Sequence, residues 1–168
     1  MLMVDGAGRR LEVPTAFSGD DGKAPPALRE ALERYADDRV AHADVITALL
    51  TSRLLVPVVA VLDESQTSTG QMGREVDVDK SSHDKSSHMA TVSLVQADGR
   101  RGLLAFTSVD TLSRWDPQAR PVPAAAPDVA AAAIAEGAQG VLIDIAGPIR
   151  FALDGQHLVR LSLSAPGR

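Results

Sequence analysis

The sequence predicts a single α+β domain: a mixed β-sheet of about five strands, with a central antiparallel hairpin, packed by helices. Three observations carry that reading. The run RLLVPVVAVLD at Arg53–Asp63 is too continuously apolar for a half-exposed strand, so it belongs inside a sheet or against two layers. MATVSLVQ at Met89–Gln96 alternates in strand fashion and meets Asp98-Gly99, after which Arg101–Phe106 returns as its antiparallel partner. Apolar residues at helical spacing follow Pro25-Pro26, and an alanine-dominated stretch precedes GVLIDI, so helices flank these strands in chain order.

Residues 1–24 are rich in Gly, Pro and Asp and have no sustained period, which predicts an extended arm with a turn at Asp20-Asp21-Gly22. The domain proper spans 25–163, and 164–168 form a tail. Leu28, Ala31, Leu32, Tyr35 and Ala36 make the buried stripe of a first helix that Asp37-Asp38 ends. A second helix, Val40–Thr51, buries Val45, Ile46, Leu49 and Leu50. Pro57 cannot donate to a ladder, so it argues for an edge position or a bulge within the Arg53–Asp63 strand. Residues 65–88 form a polar low-complexity loop containing DKSSH twice, at Asp79–His83 and Asp84–His88. Beyond the hairpin, Thr107 has the chemistry of an N-cap with Asp110 at the third helical position, opening a short helix through Trp115. Pro121, Pro123 and Pro127 read as an extended connector, Asp128–Ala138 as a helix, and Val141–Ile145 as a buried strand. Gly147-Pro148 then turns the chain into Ile149–Leu153, and Asp154 is placed to cap a last helical segment.

Composition bounds the function. The 168 residues suit one core, and an aromatic content of 3% leaves the packing to Ala, Val, Leu and Ile. A formal charge of -5 with scattered arginines offers no basic stripe for nucleic acid. The absence of cysteine removes disulfides, thiol catalysis and Cys-ligated metals, which suits a reducing cytoplasm. The short apolar start, Met1–Val4, is far from a signal peptide or a membrane span of about 20 residues. Of the 17 basic residues 14 are arginine and no asparagine occurs, a composition expected of a high-GC bacterium.

Candidate chemistry is sparse. His83 and His88, with Asp77, Asp79 and Asp84 near them, are the metal-ligating candidates, but their spacing is not that of a helix-face pair and a solvated repeat accounts for them. Glu75, Asp77 and Asp79 lack the central glycine and distal glutamate of a calcium loop. No G-x-S-x-G elbow accompanies the serines, and His42 and His157 fall on helices without a partner signal. Gly6-Ala7-Gly8 is a fragment of a dinucleotide fingerprint with no strand before it. No catalytic residue and no cofactor are expected. Trp115, the single tryptophan, is read as capping the core, with an anchor in a partner's pocket as the rival role.

LLVPVVAVLDE, MATVSLVQADGRRGLLAFTS, LSRWDPQARPVP and GVLIDIAGP together resemble the SseB N-terminal domain family in its actinobacterial form, and the likeness runs from about residue 11 to residue 163. The resemblance implies an α+β domain and no particular reaction; the family is named for an enhanced serine sensitivity phenotype. The resulting expectation is a non-enzymatic, cytoplasmic accessory or regulatory module that acts on an unknown protein partner. Its contact surface is expected where Phe106–Trp115 meets the Gly147-Pro148 turn, with Arg114, Trp115 and Arg150 as the candidates. The rival is an enzyme or small-molecule sensor with a pocket between 106–115 and 147–151, and a weaker one is metal binding in the 77–88 loop.

Overall fold

A computed structural model describes residues 3–4, 10–11, 17–61, 74–75 and 88–166. It is a mixed α+β domain. Strands β1 (Met3–Val4) and β2 (Arg10–Leu11) pair antiparallel by themselves. Helix α1 (Pro26–Asp37) opens on a proline, which loses nothing in the first turn of a helix, and buries Leu28, Ala31 and Leu32.

The second predicted helix is broken. The Asp38 carboxylate accepts from the Val40 amide and starts a 3₁₀ turn, Arg39–Ala41, so that α2 runs only from His42 to Leu49. Val45 and Leu49 are buried, whereas Leu50, expected in the same stripe, lies past the helix end and is 44% exposed.

Strand β3 (Arg53–Val61) is a central strand, flanked by β5 (His88–Thr91) and β8 (Arg120–Ala125), both antiparallel to it. Pro57 is therefore not at an edge, and hydrogen-bond geometry explains why it is tolerated. Leu55 turns its N–H and C=O away from β8 to bond Phe106 in both directions, at 2.7 and 2.8 Å. By alternation Pro57 faces that same side, between this bridge and the ladder to β5 that begins at Val58, where no donor is required. Pro123 and Pro121 pair with Leu55 and Pro57, so their missing N–H groups face the outer edge of β8. The predicted proline connector is thus an edge strand.

The predicted Met89–Gln96 strand divides at buried Val92 and serves two sheets. Its first part is β5; its second, β6 (Ser93–Val95), pairs with β7 (Arg101–Ala105) through the hairpin whose Gly99 has φ 83°. The larger sheet has the order β10-β9-β7-β6-β4, where β4 is Arg74–Glu75, β9 Gly140–Ile143 and β10 Phe151–Asp154. Strands β7 and β9 are parallel and the other neighbours antiparallel, which makes the sheet mixed.

Alternation along the strands sorts the core onto two faces. Leu54, Val56, Leu103, Val141 and Ile143 pack under α1, α2, α4 (Ala126–Ala135) and α5 (Gly155–Ser162). Leu55, Leu104 and Phe106 point the other way, under α3 (Val109–Trp115). Asp154 occupies the N-cap position of α5 without a side-chain cap. Among the described residues no helix is long and apolar enough to cross a membrane.

Candidate functional site

Parallel pairing of β7 and β9 brings Ala105 opposite Ile143, so the residues that follow each strand leave the sheet side by side. There Asp144 is 4% exposed and its carboxylate is gripped by three donors. The Thr107 amide gives to Oδ1 at 2.8 Å, the Thr107 hydroxyl to Oδ2 at 2.6 Å, and the Thr111 hydroxyl to Oδ1 at 2.6 Å. The N-cap of α3 is consequently Ser108, not Thr107, because the Thr107 hydroxyl is committed to Asp144. Thr111, not Asp110, completes the capping box: its amide gives to Ser108 Oγ at 3.2 Å. Asp110 instead pairs with Arg114 at 3.0 Å on the solvent side.

Asp144 has φ 54°, a left-handed backbone that aspartate tolerates better than most residues. The three donors and the Gly147 amide, which bonds the Asp144 carbonyl at 2.9 Å, hold it there. A side chain at Gly147 would meet Asp144 Cβ and Thr111 Cγ2 at 3.2 Å, so these neighbours would have to give way by a few tenths of an ångström to admit one.

A second buried charge abuts this cluster. Arg53, the first residue of β3, is 8% exposed; Nη1 gives to the Thr107 carbonyl at 2.5 Å and Nη2 to the Lys23 carbonyl at 2.6 Å. Nη2 also gives to Asp20 Oδ1 at 2.8 Å, and Nε to Oδ2, a two-pronged Arg–carboxylate pair. Hydrogen bonding from Arg53 holds the Asp20 carboxyl below its ordinary range; burial opposes the shift, and the Gly22 amide and the guanidinium charge reinforce it. Gly22, at φ 74°, accepts at its carbonyl from the Val109 amide at 2.8 Å, which seats the 17–24 segment on α3.

The junction floors a hollow of about 230 Å³. Arg29 and Glu33 of α1 line one side and Asp110 and Arg114 of α3 another, with Pro148 and Ile149 of the turn between them. A second hollow, of about 300 Å³, is lined by Phe17, Gly22, Val109, Pro121 and Pro123 among others.

The sequence candidates fall unequally around this geometry. Arg114 lines the hollow with its side chain 55% exposed. Arg150 is exposed, just past Ile149. Trp115 is half-buried, its ring 5.5 Å from that of Phe106, so it caps the second core face. His83 lies outside the described residues, as do Asp77, Asp79, Asp84 and Gly6–Gly8; of His88 only the backbone, in β5, is described. Among the described residues no three His, Cys, Asp or Glu side chains are grouped to hold a metal. His42 and His157, which showed no partner in the sequence, meet edge to face at 5.0 Å, with His42 also 4.9 Å from Phe151. Asp144 and Arg53 were not among the sequence candidates. The available signals were an aspartate ending a buried strand before Gly-Pro, and an arginine opening a buried run.

No curated protein and no solved structure matches the chain. The family described as SseB protein N-terminal domain matches residues 28–159, a span that holds Arg53, Thr107, Thr111 and Asp144. Since that is most of the chain, the protein belongs to the SseB family.

Proposed function

We propose that this SseB-family chain is a non-enzymatic accessory or regulatory module of the cytoplasm that acts by binding another protein through the junction above α3. The observation that carries the reading is the Asp144 carboxylate, which fastens Thr107 and Thr111 to the end of β9 and so fixes two loop segments as one platform. Loops held by rigid elements are where contact surfaces form. A carboxylate committed to three donors serves positioning better than proton transfer. Arg114 and Arg150 stand exposed on the two segments so fixed, and arginine is favoured in interface hot spots.

The test reverses both charges, Arg114→Glu with Arg150→Glu, and uses the variant as bait in native extract. Stability should stay within about 0.5 kcal/mol of the parent, as surface changes usually do, while the protein captured by the parent is lost. Capture retained at parental stability removes this surface and leaves the segment around Asp20–Gly22 as the next candidate. The hollow of about 230 Å³ supports a second reading, a small-molecule sensor or enzyme with its pocket between 106–115 and 147–151. Thermal stabilisation of the parent by a metabolite extract stripped of protein would favour it.

A further inference from the structure

We infer that the hollow above Asp144 receives a lysine side chain of the partner protein, an inference that rests on the protein-contact reading. The argument starts from which hydrogen-bonding capacity remains unused on its floor. Asp144 Oδ1 accepts twice, from the Thr107 amide and the Thr111 hydroxyl, but Oδ2 accepts only from Thr107 Oγ1. A carboxylate has about four acceptor positions, so Oδ2 retains one. Thr107 Oγ1 has spent its proton on Asp144 and keeps acceptor capacity, and Ser108 Oγ accepts from the Thr111 amide with a further lone pair left. The floor therefore asks for donors.

Charge points the same way. Three carboxylates line the hollow, those of Glu33, Asp110 and Asp144, against the two guanidiniums of Arg29 and Arg114. Both arginines are paired with acids of their own helices, Arg29 with Glu33 at 3.9 Å and Arg114 with Asp110 at 3.0 Å, so Asp144 is the lining charge whose direct hydrogen-bond partners are all neutral. An ammonium is a compact point charge with three donors and fits that remainder; a guanidinium would have to lie flat between two others. A volume of about 230 Å³, walled by Leu32 and Ile149, takes the apolar stem of lysine along with its head. Exposed ion pairs on a helix are worth only about 0.3–0.5 kcal/mol, so Arg29 and Arg114 are free to turn toward acids that flank the lysine.

The probes are capped tripeptides, acetyl-Glu-Lys-Glu-amide and acetyl-Glu-Gln-Glu-amide, with n-butylamine as a free amine, titrated into the ¹⁵N-labelled full chain and followed by amide shifts. The lysine peptide should saturate shifts at Thr107, Ser108, Thr111 and Ile149, and bind about tenfold more tightly than the glutamine peptide, the scale of one charged hydrogen bond. Glu33→Gln with Asp110→Asn, two exposed positions that leave folding intact, should weaken the lysine peptide several-fold. Equal binding of the two peptides overturns the inference, as does an absence of shifts at the floor. Butylamine binding as tightly as the lysine peptide overturns the partner-borne source in favour of a free amine. Capture lost on Arg114→Glu with Arg150→Glu while the peptides show nothing would leave the contact surface standing and the lysine pocket refuted.

Discussion

Asp144 and Arg53 lie on either side of Thr107, and both are buried, yet one is met by neutral donors and the other by an opposite charge and two carbonyls. The donors to Asp144 sit on segments that the β7–β9 pairing already places, so the staple completes a geometry the sheet has begun. Arg53 reaches instead to Asp20, 33 residues upstream, on a segment seated otherwise by the bond from the Val109 amide to the Gly22 carbonyl. The difference separates two tasks: Asp144 holds the domain's own loops, and Arg53 recruits a neighbouring segment to it. The family match agrees with that division, because residues 28–159 include Arg53 and Asp144 and leave Asp20 outside.

The sharpest way to break the comparison is Asp144→Ala. It takes the acceptor from the buried Thr107 amide and hydroxyl and leaves the Thr111 hydroxyl only the Ser108 carbonyl at 3.1 Å, and each unsatisfied buried group costs about 1–3 kcal/mol, so a loss of about 3–5 kcal/mol is expected in urea unfolding. A loss under about 1 kcal/mol would mean that water or a rotated side chain replaces the carboxylate.

Asp20→Ala should cost less, about 1–2 kcal/mol, because the side chain of Asp20 is already 18% exposed and water can reach the freed guanidinium. Adding Arg53→Met should recover part of that loss, since a buried pair replaced by an apolar side chain is often neutral. Additive losses in this double-mutant cycle would show that Arg53 stabilises through Thr107 and not through Asp20.

Acidification tests the same pair. The Asp20 carboxyl is held below its ordinary 3.8, so its contribution is fully present above that value and is lost as pH falls through the lower folded value. Stability measured from pH 6 to pH 2.5 should therefore decline less in Asp20→Asn than in the parent below about pH 4, and the gap between them should narrow. Parallel curves would remove Asp20 from the acid response.

Legibility followed sequence distance. The hairpin at Asp98-Gly99, the proline start of α1 and the short helix ending before Asp116-Pro117 are each set by a few adjacent residues, and they were readable. The division at Val92 was not, because one alternating pattern serves both halves of a strand whose partners differ. Pro121 and Pro123 read as a connector because proline removes a donor, and only the register shows those donors pointing outward. The site behaved likewise. The Phe106–Trp115 and Gly147-Pro148 segments were legible as neighbours leaving strand ends, whereas the grip of Thr107 and Thr111 on Asp144 depends on the parallel order of β7 and β9, and the meeting of His42 with His157 on the packing of α2 and α5.

The smallest expected effect separates chemistry that looks alike in the sequence. Asp110 and Thr111 are adjacent in the first turn of α3, and a carboxylate three residues past an N-cap threonine is an ordinary capping arrangement. With the cap moved to Ser108, Asp110 keeps only its exposed pair to Arg114, at 3.0 Å, with side chains 71% and 55% exposed. Asp110→Asn should then change stability by about 0.5 kcal/mol or less, within the range of surface pairs. Thr111→Val keeps the shape and removes one donor to Asp144 together with half of the capping box, and should cost about 1.5–3 kcal/mol. The two hydrogen-bond lengths, 3.0 Å and 2.6 Å, differ too little to produce that ratio; burial does. Comparable losses at the two positions, read from the same urea titrations, would return the capping role to Asp110 and with it the N-cap to Thr107.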